Sequence, residues 1–519
     1  MISDTVDDHS SSEGGVGSDV KSYQTIDPST LDVGDHTSLI LAASSLLIIV
    51  KLSFPTNTPF TLCVRLMGCG SIWVSLTTGN PETKASREIP FYNVLWADLS
   101  QAGIIIDYAQ NTSKNSVSAA SLRYVINHDQ RPRAGTWIAR LIDLAYGNAQ
   151  RSKRLKVLIN PFSGKSNATN LYHQYAEPIF AAAHCAIDVE STGCSGHAAE
   201  IAEHIDIDAY DVIVACSGDG LPYEILNGLA RKPNAAVALS KVAIAQIPCG
   251  SGNAMAWNLC GTGSVSLAAL AIVKGLKTQL DLASITQGNL RTLSFLSQSF
   301  GIVAESDLGT EDIRWMGPAR FTYGFLVRLL RKSVYPCDLA FKVEIDGKAD
   351  IKNHYLSHAG NPPESRSTNG AEPQLSGLPP LKYGTVRDDI PQDWEIISFD
   401  KLSSFYAGNM AYMSENANFF PAALPSDGLL DVVTVDGTIS RRTYLSMMKK
   451  LENETLFDAP EFKVRKVSGY RLIPRDRVDG YISIDGEKVP FEPFQVEVHK
   501  GLGTVLSKSG HLYEAKGPI

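Results

Sequence analysis

A carboxylate stands between two glycines in Ser217-Gly218-Asp219-Gly220, directly after the apolar run Val212-Ile213-Val214-Ala215-Cys216 and ahead of the helix-like Tyr223-Glu224-Ile225-Leu226-Asn227-Gly228-Leu229. A corner of this kind, at the carboxyl end of a buried strand, suits phosphate chemistry. Glycines at 218 and 220 let the backbone approach a ligand closely, and a helix starting beyond them aims unpaired N–H groups at an anion. Asp219 then stands where a hydroxyl would lose its proton. Read alone, the motif is equally a tight strand-to-helix turn, because Asp and Gly are ordinary turn residues.

A second corner of the same kind shifts that balance. The run Val242-Ala243-Ile244-Ala245-Gln246-Ile247 reads as a strand, Pro248-Cys249-Gly250-Ser251-Gly252-Asn253 as a loop, and Ala254-Met255-Ala256-Trp257-Asn258-Leu259 as a helix. A third lies upstream, where the strand-like Leu155-Lys156-Val157-Leu158-Ile159 runs into Asn160-Pro161-Phe162-Ser163-Gly164-Lys165-Ser166. Its Gly-Lys-Ser ending suggests a Walker loop, but that motif needs a glycine five positions before Gly164, where Ile159 stands, so the reading is rejected. Strands alternating with helices at this spacing predict a parallel sheet in a three-layer α/β domain, with ligands outside the carboxyl ends of the strands.

The 519 residues suffice for two or three domains, and 44% hydrophobic content with both charge signs is ordinary for a soluble enzyme. A formal net charge of -8, with no basic stripe or recognition motif, argues against a nucleic-acid partner. The eight cysteines include no Cys-x-x-Cys pair, and the opening residues lack the basic and apolar regions of a signal peptide; both point to a reducing, cytoplasmic setting. A membrane span needs about 20 mostly apolar residues. The runs Leu39 to Val50 and Phe60 to Leu76 are interrupted too soon and read as core strands, which leaves peripheral contact with a membrane surface.

Residues 1–30, rich in Ser, Gly and Asp, read as a disordered tail, and 38–140 as a small β-rich module whose role is not legible. The α/β domain is expected over 153–284. From 285 to 510 long strand-like segments predict a mainly antiparallel second domain: Leu290 to Ile302, Leu339 to Ile345, Trp394 to Asn409, Leu429 to Val435, and Phe462 to Ile473. Residues 354–392, loaded with Pro, Gly, Ser and Asn, read as a disordered insertion in it. Asp307 to Arg331 reads as a helical stretch, either a solvated face laced with ion pairs or a source of arginines that clamp phosphate oxygens.

Taken in order, these segments resemble the sphingosine kinase, or sphingoid long-chain-base kinase, family within the diacylglycerol-kinase-like lipid kinases. The resemblance spans residues 155–345 and 394–508. It rests on Ser217 to Leu229, on Gly250-Ser251-Gly252-Asn253-Ala254, on Ala304 to Asp307 with Ile313 to Phe321, and on Asp485-Gly486-Glu487. It implies an α/β nucleotide-binding domain, a β-sandwich that holds the lipid, and an active site between them. Asp219 matches the catalytic base, and Ser217, Gly218, Asp219 and Gly220 match the loop facing the lipid hydroxyl. Asn160, Pro161, Phe162, Thr192, Glu224, Ser251, Gly252, Asn253, Asp485, Gly486 and Glu487 match nucleotide contacts. Arg314 and Arg320 match phosphate-binding arginines, and Asp307 the acid that recognises the sphingoid head group.

The implied reaction moves the γ-phosphoryl of ATP, with Mg²⁺ carried on the phosphates, to the primary hydroxyl of a sphingoid base at an intracellular membrane. The family's first loop reads Asn-Pro-x-Gly-Gly-x-Gly, whereas Ser163 and Ser166 replace two glycines here. A side chain at a site needing positive φ would obstruct phosphate. Ceramide or diacylglycerol kinase, and a non-catalytic relative that binds nucleotide or lipid, stand as alternatives.

Overall fold

The computed structural model describes residues 29–33, 37–53, 62–65, 71–74, 82–310, 313, 323–324, 327–328, 333–360 and 376–518, with the backbone alone over most of 51–86. The tail read over 1–30 lies almost wholly outside the described residues. Two compact units divide the chain: 1–88 with 126–137, and 89–125 with 138–519. The expected module over 38–140 is therefore divided between them. In the first unit, Thr30–Val33, Thr37–Leu41 and Ser45–Ser53 pair antiparallel, and Leu39, Leu46 and Ile48 are buried, so the first apolar run is core strand. In the second, Val94–Leu99, Ile104–Ser113 and Ser116–Tyr124 form a three-stranded antiparallel sheet.

The candidate site lies in the second unit, on a sheet of fifteen described strands. In chain order these are β1 Arg154–Ile159, β2 Ala186–Ser191, β3 Val212–Ser217, β4 Ala243–Pro248, β5 Leu276–Gln287, β6 Leu290–Ser294, β7 Ser297–Gly301, β8 Cys337–Asp346, β9 Glu395–Phe399, β10 Leu402–Gly408, β11 Leu430–Asp436, β12 Lys463–Pro474, β13 Ile482–Ile484, β14 Glu487–Val489 and β15 Phe494–Ser507. The order β2-β1-β3-β4 is parallel throughout. Every residue of β3 and β4 is buried, as expected of apolar, β-branched runs covered on both faces.

Helices α1 His197–His204, α2 Gly220–Ala230, α3 Ala254–Cys260 and α4 Val265–Lys274 are among those of the α/β domain. In α2, Leu221, Ile225, Leu226 and Leu229 are buried at helical spacing. The last strand, β15, joins the two halves of the fold. It runs parallel to β4 through Ile244 and Val505, and antiparallel to β5 and β12. From there the antiparallel part continues β12-β11-β10-β7-β13-β14, giving the sandwich domain.

Two expectations for the second domain need correcting. Leu290 to Ile302 is two strands, β6 and β7, separated by a turn at Phe295-Leu296, and Trp394 to Asn409 likewise divides into β9 and β10. The segment 354–392 is not disordered throughout. It opens inside a helix, Lys348–Gly360, which buries Ile351. It closes in residues held by hydrogen bonds, with Lys382 and Tyr383 N–H donating to the Glu497 carboxylate at 2.8 Å each. Side-chain capture of backbone orders a Pro- and Gly-rich segment without any periodicity. Residues 361–375 lie outside the described residues.

Candidate active site

β3 ends in Ser217-Gly218-Asp219-Gly220 and β4 in Cys249 to Asn253, and the two corners meet backbone to backbone. Cys249 N–H donates to the Ser217 carbonyl at 3.3 Å and Asp219 N–H to the Gly252 carbonyl at 3.1 Å. A Cβ on Gly250 would lie 2.3 Å from Cα of Gly218, and one on Gly218 would lie 2.7 Å from the Gly252 carbonyl oxygen. The expectation that Gly218 clears space for a ligand is thus revised: its missing side chain lets one loop seat against the other.

Asp219 is half-buried, and its carboxylate caps α3 from across the corner. Oδ2 accepts from Ala254 N–H at 2.9 Å, and Oδ1 from Met255 N–H at 3.0 Å and Gln246 Nε2 at 3.3 Å. Gln246, fully enclosed in β4, is fixed in turn by accepting from Ala256 N–H at 2.8 Å. Desolvation raises the Asp219 pKa, and the three donors pull against that rise. With two donors on Oδ1 and one on Oδ2, Oδ2 keeps a lone pair for a further proton or donor. Asn253 holds its own loop in shape, accepting from Gly250 N–H at 3.0 Å and donating to the Gly250 carbonyl at 2.9 Å, while Ser251 is exposed.

In the loop after β1, Asn160 Oδ1 accepts from Phe162 N–H at 3.0 Å beside Pro161, and the Phe162 ring is 73% exposed. Ser163 is buried with a negative φ and accepts from Ser217 Oγ at 3.0 Å, so it ties the first corner to the second and needs no glycine. Gly164 and Ser166 do occupy the left-handed region, at φ 61° and 55°. Ser166 is therefore the departure that costs, by about 1–2 kcal/mol. Thr192 is buried after β2, its N–H and Oγ1 both on the Ile159 carbonyl at 2.8 and 3.5 Å. Glu224, on α2, accepts from Ala198 N–H at 3.3 Å in the first turn of α1.

The second domain contributes three further acids. Asp307 lies on α5, Ile302–Leu308, half-buried, and accepts from Ser483 Oγ at 3.3 Å. Asp485 and Gly486, both with positive φ, form the two-residue turn between β13 and β14. Asp485 is enclosed: Oδ1 accepts from Ser294 Oγ at 2.6 Å, Leu296 N–H at 3.0 Å and Ser297 N–H at 2.9 Å, and Oδ2 from Phe295 N–H at 2.9 Å. Burial pushes its pKa up to about 6 against those donors. Its carboxylate holds the β6–β7 turn. Glu487, exposed, brings Oε1 to 3.4 Å from where a Cβ on Gly220 would stand, so the hairpin does reach the Asp219 corner.

Arg314 and Arg320 lie outside the described residues, and with them the phosphate-clamp reading of that stretch. Of its neighbours, Arg328 is paired with Glu305 at 3.1 Å, and Arg477 approaches the same carboxylate at 3.4 Å. Three residues escaped the sequence reading. Gln246 was detectable as the one amide inside an apolar strand. Asn227 clamps α2 to β6, donating to the Leu293 carbonyl at 2.9 Å and accepting from Leu293 N–H at 2.8 Å. Tyr406, on β10, sits in the field of the Asp307, Asp485 and Asp219 carboxylates.

Known proteins similar to this chain cover both its α/β and its sandwich parts. Residues 154–285 match the diacylglycerol kinase catalytic domain, 373–507 the YegS C-terminal NAD kinase beta sandwich-like domain, and 29–147 a domain of unknown function. Sphingoid long chain base kinase 5 of Saccharomyces cerevisiae is 35% identical over 72% of this chain and 62% of its own length. Sphingoid long chain base kinase 4 of Schizosaccharomyces pombe is 34% identical over 81% of this chain and 88% of its own. Sphingosine kinase 1 of Homo sapiens is 28% identical over 68% and 90%. A diacylglycerol kinase structure from Bacillus anthracis str. Sterne aligns at TM-score 0.45 and 17% identity, covering 68% of this chain and 97% of that one. On the strength of the second yeast relative, covered over most of its length, the chain belongs to the sphingoid long-chain-base kinase family, ATP-dependent lipid kinases with a diacylglycerol-kinase-type catalytic domain.

Proposed function

We propose that the chain transfers the γ-phosphoryl of ATP to the primary hydroxyl of sphingosine, dihydrosphingosine or phytosphingosine, giving the 1-phosphate. The observation that carries the reading is the Asp219 carboxylate, half-buried, raised in pKa and with a lone pair left on Oδ2 at the meeting point of two loops. A base whose pKa moves toward the working pH transfers a proton with less loss of driving force. In phosphoryl transfer, positioning and charge stabilisation supply most of the catalysis, so one such base suffices.

In this reading Oδ2 of Asp219 takes the lipid's hydroxyl proton as the oxygen bonds to the γ-phosphorus and the bond from that phosphorus to the β–γ bridging oxygen breaks, releasing ADP; the Asn160 to Phe162, Thr192 and Ser251 to Asn253 loops hold the nucleotide, with Glu224 bracing the α1 end. Arg314 and Arg320 would bind phosphate oxygens. Among the described residues no group of three or more His, Cys, Asp or Glu forms a metal cage. Mg²⁺ would come with the nucleotide and offset its charge, and the exposed carboxylate of Glu487 is a hard donor of the kind such an ion takes. Asp307 would bind the ammonium of the sphingoid base, because a half-buried carboxylate is stabilised by a cation that diacylglycerol and ceramide lack. The reading includes peripheral attachment to intracellular membranes from the cytoplasmic side, where such a lipid resides; among the described residues no single helix is long and apolar enough to span one.

Transfer of radiolabelled phosphate from ATP to a panel of sphingoid bases, ceramide and diacylglycerol tests the assignment. Label is expected in the bases, and Asp307→Ala is expected to raise KM for the base about tenfold or more while changing KM for ATP far less. Equal labelling of diacylglycerol, or an unmoved lipid KM, would remove the substrate assignment.

A further inference from the structure

Strand β4 is apolar except at one position. Gln246 is enclosed between Ala245 and Ile247, where a hydrocarbon side chain would pack without leaving polar atoms to satisfy. Its amide is nonetheless paired at every point. Oε1 accepts from Ala256 N–H at 2.8 Å, and Nε2 donates to the Ser217 carbonyl at 3.4 Å and to Asp219 Oδ1 at 3.3 Å. The first of these contacts fixes the orientation of the amide, because a backbone N–H can be met only by the oxygen end. The NH₂ group is left for Asp219.

Gln246 and Asp219 act on α3 as a pair. The helix begins with N–H groups that no turn of its own can accept. Ala254 gives its own to Asp219 Oδ2 at 2.9 Å, Met255 to Asp219 Oδ1 at 3.0 Å, and Ala256 to Gln246. The Gln246–Asp219 bond closes these contacts into a ring, so the carboxylate cannot turn without breaking part of it. That bond also makes the two oxygens unequal. Oδ1 holds two donors and Oδ2 one; without Gln246 each would hold one. Oδ2 lies beside Gly252, where a Cβ would stand 3.3 Å from it, so the missing side chain leaves that oxygen uncrowded.

We propose that Gln246 is a positioning residue for phosphoryl transfer: it turns Asp219 so that Oδ2 is the oxygen that receives the lipid's proton, and its donated hydrogen bond keeps the carboxylate ready to accept one. This rests on the reading of Asp219 as base above. Desolvation raises the Asp219 pKa, and the Gln246 amide is among the donors that pull it back down by stabilising the ionised form. The contact is enclosed, so water is not at hand to replace the amide N–H when it is removed. Tyr406 of β10, with Asp307 and Asp485 around it, and Glu487 of β14 also face this corner, and a substitution at 246 leaves all four in place.

The test is the single-turnover rate of label transfer from ATP to sphingosine, followed against pH in wild type, Gln246→Met and Gln246→Glu. In wild type the rate is expected to fall on the acid side as Asp219 takes up a proton, and Asp219→Asn should remove that limb along with most of the rate. Gln246→Met keeps the length of the side chain without the donor. The acid limb is then expected to move up by about one pH unit, which is about a tenfold loss of rate at any pH below it. Gln246→Glu keeps an acceptor for Ala256 N–H, and thus the cap of α3, but sets a second carboxyl against Asp219; the pair shares a proton and the limb moves up further. A residue that only caps α3 would change Tm and leave the limb where it was. An unmoved limb in either variant, with the protein folded by circular dichroism, overturns the positioning role alone. An acid limb retained in full by Asp219→Asn overturns the reading of Asp219 as base, and the role of Gln246 with it.

Discussion

Asp219 and Asp485 are both acids whose pKa burial raises and which accept backbone N–H groups, yet their surroundings assign them opposite tasks. Asp485 is 3% exposed and receives four donors from the Ser294–Ser297 turn, so its carboxylate is closed off inside its own fold. Asp219 receives three donors, keeps a lone pair and stays half-open at the junction of two loops. Their difference teaches that an acid is fitted for chemistry by what can reach its open lone pair. Burial alone would rank Asp485 above Asp219.

The largest effect expected from that contrast belongs to Asp219. Asp219→Asn keeps the size of the side chain but not the basicity, and kcat is expected to fall about 10³-fold, within the range for removal of a general base. ATP binding, followed by fluorescence or calorimetry, should persist. Turnover within a few-fold of wild type would remove Asp219 from the role of base.

Next comes stability at Asp485. Asp485→Ala leaves four donors without an acceptor, and a loss of roughly 3 kcal/mol or more is expected in denaturant unfolding. The same carboxyl gives a pH signature. With a folded pKa of about 6 against an ordinary 3.8, the folded form holds the proton more tightly than the unfolded chain. Its contribution is therefore full below about pH 4 and is lost as pH rises through 6, by about 3 kcal/mol in all. The difference in stability between wild type and Asp485→Asn should shift in that sense across pH 4–6. A flat difference would mean that the carboxyl is ionised throughout.

The architecture of the site was legible where chemistry and periodicity coincide in a short stretch. The apolar runs ending at Cys216 and Ile247 announced parallel strands, and each placed its glycine corner at a carboxyl end. Contacts set by distant pairing were not legible. Nothing near Phe494 signals that β15 will lie between β4 and β5, and Ser299 is set beside Tyr406 and Ser483 only by the pairing of β7 with β10 and β13. The Asp485-Gly486 pair did carry a local signal, since Asp-Gly between the alternating Ile482-Ser483-Ile484 and Glu487-Lys488-Val489 is the pattern of a two-residue hairpin. What its carboxylate would hold could not be read, because the turn it grips lies 188 to 191 residues earlier.

The smallest expected effect sharpens the comparison at the loop after β1, where two serines replace glycines with different consequences. Ser163 is buried, keeps a negative φ and accepts from Ser217 Oγ, so Ser163→Gly should destabilise by about 1–2 kcal/mol through the buried hydroxyl left without its acceptor. Ser166 is exposed at φ 55°, where glycine is at ease. Ser166→Gly relieves about 1–2 kcal/mol of left-handed strain. It returns about 0.4–1 kcal/mol of unfolded-state freedom. The net expectation is a stabilisation between nothing and about 1.6 kcal/mol, read as a rise in Tm, with KM for ATP unchanged or lowered a few-fold. If Ser166→Gly instead raised KM for ATP, the Ser166 hydroxyl would be a nucleotide contact in its own right, and this chain would have exchanged backbone freedom for a side-chain donor at that corner.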